Sequence, residues 1–175
     1  YPWEALPMIK DWILEIGKTL SEDEYDQVAE NVWIHKTAKV FESAYIAGPT
    51  IIGADTEVRQ CAFIRGNALV GSGCVVGNST ELKNAILLDK VQVPHYNYVG
   101  DSILGEHAHL GAGVILSNLK TDNKSVVLHT EEGLDTGLRK VGSFLGENVD
   151  VGCNSVLNPG TVILKNSRVY PLTSL

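Results

Sequence analysis

A parallel β-helix is the fold class this sequence predicts, all-β apart from a short helical cap at its start, and three observations predict it. An aliphatic residue falls at every sixth position through Ile34, Val40, Ile46, Ile52, Val58, Ile64, Val70, Val76, Leu82 and Leu88. A column of small residues keeps the same step four residues later, through Ala38, Ala44, Thr50, Thr56, Ala62, Ala68, Cys74 and Thr80. Glycine often follows the aliphatic residue, as at Gly53, Gly71 and Gly77.

A period of six is neither a helix nor an alternating strand; it is a short strand followed by a tight corner. Three such units close a triangular coil of about 18 residues. The aliphatic residue fills the prism, the small residue sits where walls converge, and coils stack at about the 4.8 Å strand spacing. Left-handed winding departs from the usual crossover rule and is taken from the class of hexapeptide-repeat solenoids. A β-sandwich would need hairpin turns and two-residue periodicity instead.

The elements follow in order. Leu6, Ile9, Ile13, Ile16 and Leu20, with Trp12 beside them, form one apolar stripe at helical spacing. Ser21 and Glu24 have capping-box spacing, which predicts a second, short acidic helix to about Glu30. Residues 1–31 therefore read as a helical cap over the open end of the solenoid, or as a linker, with Trp3, Trp12 and Trp33 near the junction. The solenoid occupies 32–175. Its register resumes at Leu104, Leu110 and Leu116, and again at Leu145, Val151, Leu157, Ile163 and Val169.

Two breaks interrupt it. Leu88 and Leu104 are 16 residues apart, which reads as one coil two residues short. Leu116 and Leu145 are 29 apart, so an excursion over 117–144 leaves the prism. Within it, Ser125 to Thr130 alternates like a strand and Glu131 to Gly137 reads as a turn-rich tip. Irregular backbone between regular coils is where a site is expected.

Composition narrows the function. Hydrophobic residues at 44% and charged residues at 20% suit one soluble globular domain. The net charge of −7 argues against nucleic-acid binding, so an anionic ligand would need a local basic cluster. No run approaches the roughly 18 apolar residues of a membrane span. Cys61, Cys74 and Cys153 lack metal-site or disulfide spacing and read as free thiols, which suggests the cytoplasm. The chain begins at Tyr1 rather than methionine, which leaves room for an upstream segment.

Arg65 and Lys83 each follow a core aliphatic residue and lie 18 residues apart, so they should stack on one edge of adjacent coils. Two readings stay open. The pair holds a phosphate, or it is two solvated edge charges. His95 follows Pro94 in the shortened coil, near that edge, and is a candidate general base or a structural histidine.

Several spaced polar groups carry a resemblance: Ala62-Phe63-Ile64-Arg65; Val76-Gly77-Asn78 with Glu81-Leu82-Lys83; His95 with Tyr98 and Gly100-Asp101; Leu110 to Gly113; Asn118; and Asn123-Lys124. Over residues 34–169 the chain resembles the acetyltransferase half of the bifunctional sugar-1-phosphate nucleotidyltransferase/acetyltransferases, which serve UDP-N-acetylglucosamine biosynthesis. Leu119 after Asn118, and Asp135 to Lys140, are closer to the archaeal-type branch. The resemblance implies a homotrimer with sites between subunits. It also implies acetyl-coenzyme A as cosubstrate and an amino-sugar phosphate or nucleotide sugar as acceptor.

The implied roles are specific. His95 is the general base. Arg65 and Lys83 hold the phosphate, while Tyr98, Asn118 and Lys124 contact the sugar phosphate. Ala112 and Cys153 line the coenzyme side, Arg139 and Lys140 meet its phosphates, and backbone N–H groups of Gly111 to Gly113 steady the oxyanion. Cys153 stands where the bacterial pattern has serine, and His109 where it has asparagine. Nothing matches the glycine-rich nucleotidyltransferase signature, so that activity is not expected of this chain. Two alternatives remain. One is a non-catalytic trimeric sugar-nucleotide-binding or scaffold module. The other is a metal enzyme of the γ-carbonic-anhydrase kind using His95, His107 and His109; no metal is otherwise expected.

Overall fold

The computed structural model describes residues 1–128 and 133–175. The chain is a left-handed parallel β-helix with three walls. The first wall stacks Val32–His35, Thr50–Ile52, Ala68–Val70, the later halves of Glu81–Leu87 and Tyr98–Leu104, Phe144–Leu145 and Val162–Ile163. The second is a seven-stranded parallel ladder from Lys39–Val40 to Arg168–Val169. The third runs from Tyr45–Ile46 through Phe63–Ile64, the early halves of Glu81–Leu87 and Tyr98–Leu104, and Ile115–Leu116 to Val156–Leu157.

The six-residue aliphatic column fills the prism: Ile52, Val58, Ile64, Val70, Val76 and Leu82 are fully buried. The small column is buried with it. Thr56 and Thr80 satisfy their hydroxyls by donating to the carbonyls of Gly71 (2.7 Å) and Val93 (3.0 Å), so a polar residue is tolerated inside. After the first coil, the corners turn through a residue at positive φ, such as Asp55, Lys90 and Asn148 between the first and second walls. Short polar Asn and Asp adopt this conformation more readily than most.

The shortened coil is arranged differently from its sequence reading. Leu88 is 47% exposed, and Leu87 takes the core position instead. Leu87 stacks between Val70 and Leu104, and Val99 stacks on Leu82. The missing two residues are thus shared between two successive corners joining the third wall to the first, at Lys83-Asn84-Ala85 and Gly100-Asp101-Ser102. There the strand runs through the corner without a break, so Glu81–Leu87 and Tyr98–Leu104 serve two walls each.

The N-terminal segment departs from expectation in two ways. A 3₁₀ turn, Pro2–Met8, leads into one α-helix, Ile9–Gly17, but Tyr25–Ala29 is a strand paired antiparallel with Val32–His35, not a second helix. Ser21 Oγ accepts from the Asp23 N–H (3.2 Å) in a single turn, and Asn31 at positive φ then closes a hairpin. Edge pairing with the first wall outweighs the weak local helix signal. The helix, moreover, does not plug the open end. Trp3, Leu6, Ile9 and Ile13 lie along the outside of the first wall, on Trp33, Ile51, Leu69, Ile86, Ile103 and Phe144. Trp3 meets Phe144 at 6.5 Å while Gly17 sits against the Trp33 indole. A 3₁₀ turn and helix of this length reach about 27 Å, close to the roughly 24 Å between those rungs. Ile13→Ala is expected to lower unfolding stability by about 2–4 kcal/mol in a denaturant melt.

The excursion leaves the third wall after Leu116 and rejoins the first at Phe144, taking the place of one corner. Val127–Leu128 pairs antiparallel with Leu134–Asp135, and Val126, Leu128 and Val141 join the same outer cluster as the N-terminal strap. The expected strand to Thr130 and the start of the expected tip fall partly in residues 129–132, outside the described residues.

Candidate functional site

Three columns of side chains border the third wall. At its corner with the second wall, Asn78, His95, Ala112 and Cys153 stand on successive rungs. The ladder along this corner is explicit: Gly113 N–H donates to the His95 carbonyl (3.0 Å), and Asn154 N–H to that of Ala112 (2.8 Å). His95 is exposed, and its backbone is pinned by its own N–H donating to Asn97 Oδ1 (3.1 Å). Pro94, the residue before it on the same strand, closes on the Gly77 backbone so tightly that a Cβ there would lie 1.6 Å from the Pro94 oxygen. The glycine after Val76 is therefore what lets the His95 rung seat.

The N–H groups of this corner separate into spent and unspent. Gly111 donates to the Val151 carbonyl (2.7 Å) and Gly113 to that of His95, so neither is available to an oxyanion. That corrects the expectation for the glycines. Among the described residues, the N–H groups of Ala112 and Cys153 donate to no protein acceptor, and both lie on the His95 column.

The second column is the opposite corner of the same wall. Arg65, Lys83, Gly100 and Ser117 follow one another on it. The stacking of Arg65 and Lys83 is as the spacing predicted, but each cation has its own carboxylate. Arg65 Nη1 pairs with Glu81 Oε1 at 2.7 Å, and that hydrogen bond holds the guanidinium pKa up. Lys83 Nζ pairs with Asp101 at 3.0 Å. Both charges are thus compensated within the protein.

His95 stands at the other corner of this wall, five residues before Gly100 with the left-handed Tyr96 turn between them. Between the two corners the wall's outer face carries Glu81, Tyr98 and Ile115 on consecutive rungs. Burial, then Glu81, pushes the Tyr98 phenol up, so it is protonated at neutral pH. Tyr98 Oη accepts from Asn118 Nδ2 (3.1 Å), which joins it to the Lys83 corner.

The remaining expectations are mixed. Lys124 lies on the excursion, its N–H on Asp122 Oδ1 (3.1 Å). Arg139 and Lys140 lie apart from Ala112 and Cys153. They line a cavity of about 400 Å³ with Leu6, Pro7, Asn84 and Asp101, on the first-wall side of the Lys83 corner. One chain does not bring these two halves of the expected coenzyme site together. His95, His107 and His109 are also apart: His107 is at a first-to-second corner beside Glu106, and His109 is on the outer second wall, 2.8 Å from Asp150. No group of three metal-binding side chains occurs among the described residues of one chain. Sequence reading missed Asp101 as a partner, although it sits 17 residues after Asn84 with its neighbours in register.

Cys74 is buried in the prism, and burial pushes its thiol pKa up to about 11. Cys61 and Cys153 are exposed. A maleimide at pH 8 is expected to label Cys61 and Cys153 and spare Cys74, as read by peptide mass spectrometry.

Comparison with known proteins agrees with this architecture. A family model described as the GMPPB C-terminal domain matches residues 46–171. A bifunctional protein GlmU of Methanococcus aeolicus is 34% identical over 165 residues, covering 84% of this chain and 40% of that protein. A bifunctional sugar-1-phosphate nucleotidylyltransferase/acetyltransferase of Sulfurisphaera tokodaii is 30% identical over 175 residues, covering 97% and 43%. The chain thus spans about two fifths of the length of these curated relatives. Among solved structures, a hexapeptide transferase family protein from Anaplasma phagocytophilum shares the fold at TM-score 0.59 and 18% identity, over 78% of this chain and 73% of that one. A UDP-N-acetylglucosamine acyltransferase from Campylobacter jejuni does so at 0.50 and 17%, over 81% and 59%. No helix among the described residues is long and apolar enough to cross a membrane.

Proposed function

We propose, from the premise that the chain belongs to the GMPPB C-terminal domain family, that it is an acetyl-coenzyme A-dependent N-acetyltransferase acting on an amino-sugar phosphate or nucleotide sugar. The observation that carries this reading is the corner at His95: an exposed imidazole on the same column as the two unspent N–H groups of Ala112 and Cys153. The acceptor lies along the third wall, its phosphate toward Arg65 and Lys83, its sugar against Tyr98 and Asn118 and, from the excursion, Lys124. Its amine reaches His95. The phosphate displaces Glu81 from Arg65, which is the more exposed of the two ion pairs and the cheaper to open.

His95 takes the amine proton as nitrogen attacks the thioester carbonyl, and the Ala112 N–H faces the developing oxyanion. One such donor is worth about 3 kcal/mol in the transition state. Collapse expels the coenzyme A thiolate and leaves the amide, with no covalent enzyme intermediate. A homotrimer in the cytoplasm goes with this reading. A neighbouring subunit then brings its Arg139-Lys140 cavity, or its excursion, to the coenzyme phosphates.

Mixing acetyl-coenzyme A with glucosamine-1-phosphate or galactosamine-1-phosphate is expected to release free coenzyme A, measured by chromatography. Acetyl-coenzyme A is also expected to protect Cys153, but not Cys61, from maleimide. No release across a panel of amino sugars, together with equal labelling of Cys153 with and without the cosubstrate, would refute the enzyme and leave a binding module.

A further inference from the structure

We infer that Asp101 is a positioning residue of the acceptor site, the buried anion that aims Lys83 and Asn118 at the substrate. The inference rests on the acetyltransferase reading for its kinetic consequence, but its geometry is independent of it.

Three donors converge on this one carboxylate, two from the neighbouring corner at Lys83-Asn84 and one from the start of the excursion at Asn118. Lys83 Nζ reaches both oxygens, at 3.0 and 3.3 Å; Asn84 Nδ2 donates to Oδ1 at 2.9 Å; Asn118 Nδ2 donates to Oδ2 at 2.5 Å. Asp101 and Asn118 are both buried. Every partner is a donor, so the position requires an acceptor-only group, and an ionised carboxylate is the side chain that supplies one. An asparagine there would turn an N–H₂ toward at least one donor.

The consequence lies in what is left over. An ammonium has three hydrogens, and Asp101 engages at most two of them, so at least one is left for a ligand. Asn118 Nδ2 bridges Asp101 to Tyr98 Oη, which fixes the phenol too. Gly100 makes room for that bridge: a Cβ there would lie 2.5 Å from Tyr98 Oη and 2.8 Å from Asn118 Nδ2. Asn84 also donates to the Leu6 carbonyl (3.3 Å), so the N-terminal strap braces the same network. Charge-assisted bonds of this kind hold geometry better than neutral ones.

The test uses Asp101→Asn in the full chain with two readouts. In steady-state kinetics the acceptor KM is expected to rise at least tenfold, with the acetyl-coenzyme A KM unchanged within twofold. A role in stability alone would lower the active fraction and move neither KM, and that result would overturn the inference. The second readout is acetic anhydride labelling followed by mass spectrometry. Lys83 in the wild type is expected to react at least tenfold more slowly than exposed Lys165, and to speed up severalfold in the variant. Equal rates for Lys83 and Lys165 in the wild type would overturn the inference, even if the variant does not fold. Should the wild type release no coenzyme A with any acceptor, the acetyltransferase reading fails, and the labelling rates still decide the role of Asp101.

Discussion

Replacing His95 with alanine is expected to reduce coenzyme A release by about 10²- to 10⁴-fold, the range for loss of a general base, while leaving the unfolding midpoint nearly unchanged. The two halves of this expectation have separate grounds. The imidazole is exposed, and the hydrogen bonds that hold the rung come from the backbone: the His95 N–H to Asn97 and the Gly113 N–H to the His95 carbonyl. Alanine keeps both. Surface truncations that leave such contacts alone shift stability by no more than about 0.5 kcal/mol. The catalytic loss should fall on kcat, because acceptor binding is assigned to the opposite corner. A variant that binds sugar phosphate and acetyl-coenzyme A as the wild type does, yet turns over at the wild-type rate, would remove His95 from the mechanism.

Gly77→Ala is expected to be the most damaging single-methyl change in the chain. The added Cβ would sit 1.6 Å from the Pro94 oxygen and 2.0 Å from its carbonyl carbon. Both are backbone atoms in the adjacent rung, so no side-chain rotation relieves the overlap. Pro94 is itself buried and conformationally fixed, which removes the other route to relief. The rungs must separate, breaking ladder bonds on either side. A loss of at least 3–4 kcal/mol is expected in a denaturant melt, beyond the usual range for single substitutions. Gly137→Ala makes a useful comparison. Nothing lies within 4 Å of its Cβ position, so only its positive φ is strained and about 1 kcal/mol should be lost. If the two variants melt alike, the close approach at Gly77 is not limiting.

The prism was legible because its cause is local and repeated. Ile52, Val58 and Ile64 recur at a fixed step, and each occupies the equivalent inward position of its wall. What failed was the placement of single residues where the period changes. Leu88 satisfied the count of six and Leu87 satisfied the packing, because a residue removed at the Asn84 corner shifts everything after it. The Ser21–Glu24 signal is worth about 1 kcal/mol to a helix, and a neighbouring sheet edge offered Tyr25–Ala29 four ladder pairings instead. In the site, the stacking of Arg65 on Lys83 was readable from their separation. Their carboxylate partners were not. Glu81 and Asp101 reach those cations across rungs, Glu81 from a coil in full register and Asp101 from within a shortened corner, where the register slips by one.

The strap along the first wall has a consequence for how the molecule comes apart. A bare solenoid is quasi-one-dimensional: each coil touches only its neighbours, so the ends can unravel a rung at a time. Here the first dozen and a half residues touch rungs from Trp33 to Phe144. Melting any rung in that span therefore loosens contacts with a segment that all the others share. The strap acts as a splint that converts a stack of nearly independent coils into one cooperative unit. It also adds contacts of long sequence separation, such as Trp3 with Phe144, to those that must form before folding is complete, and topology of that kind slows folding.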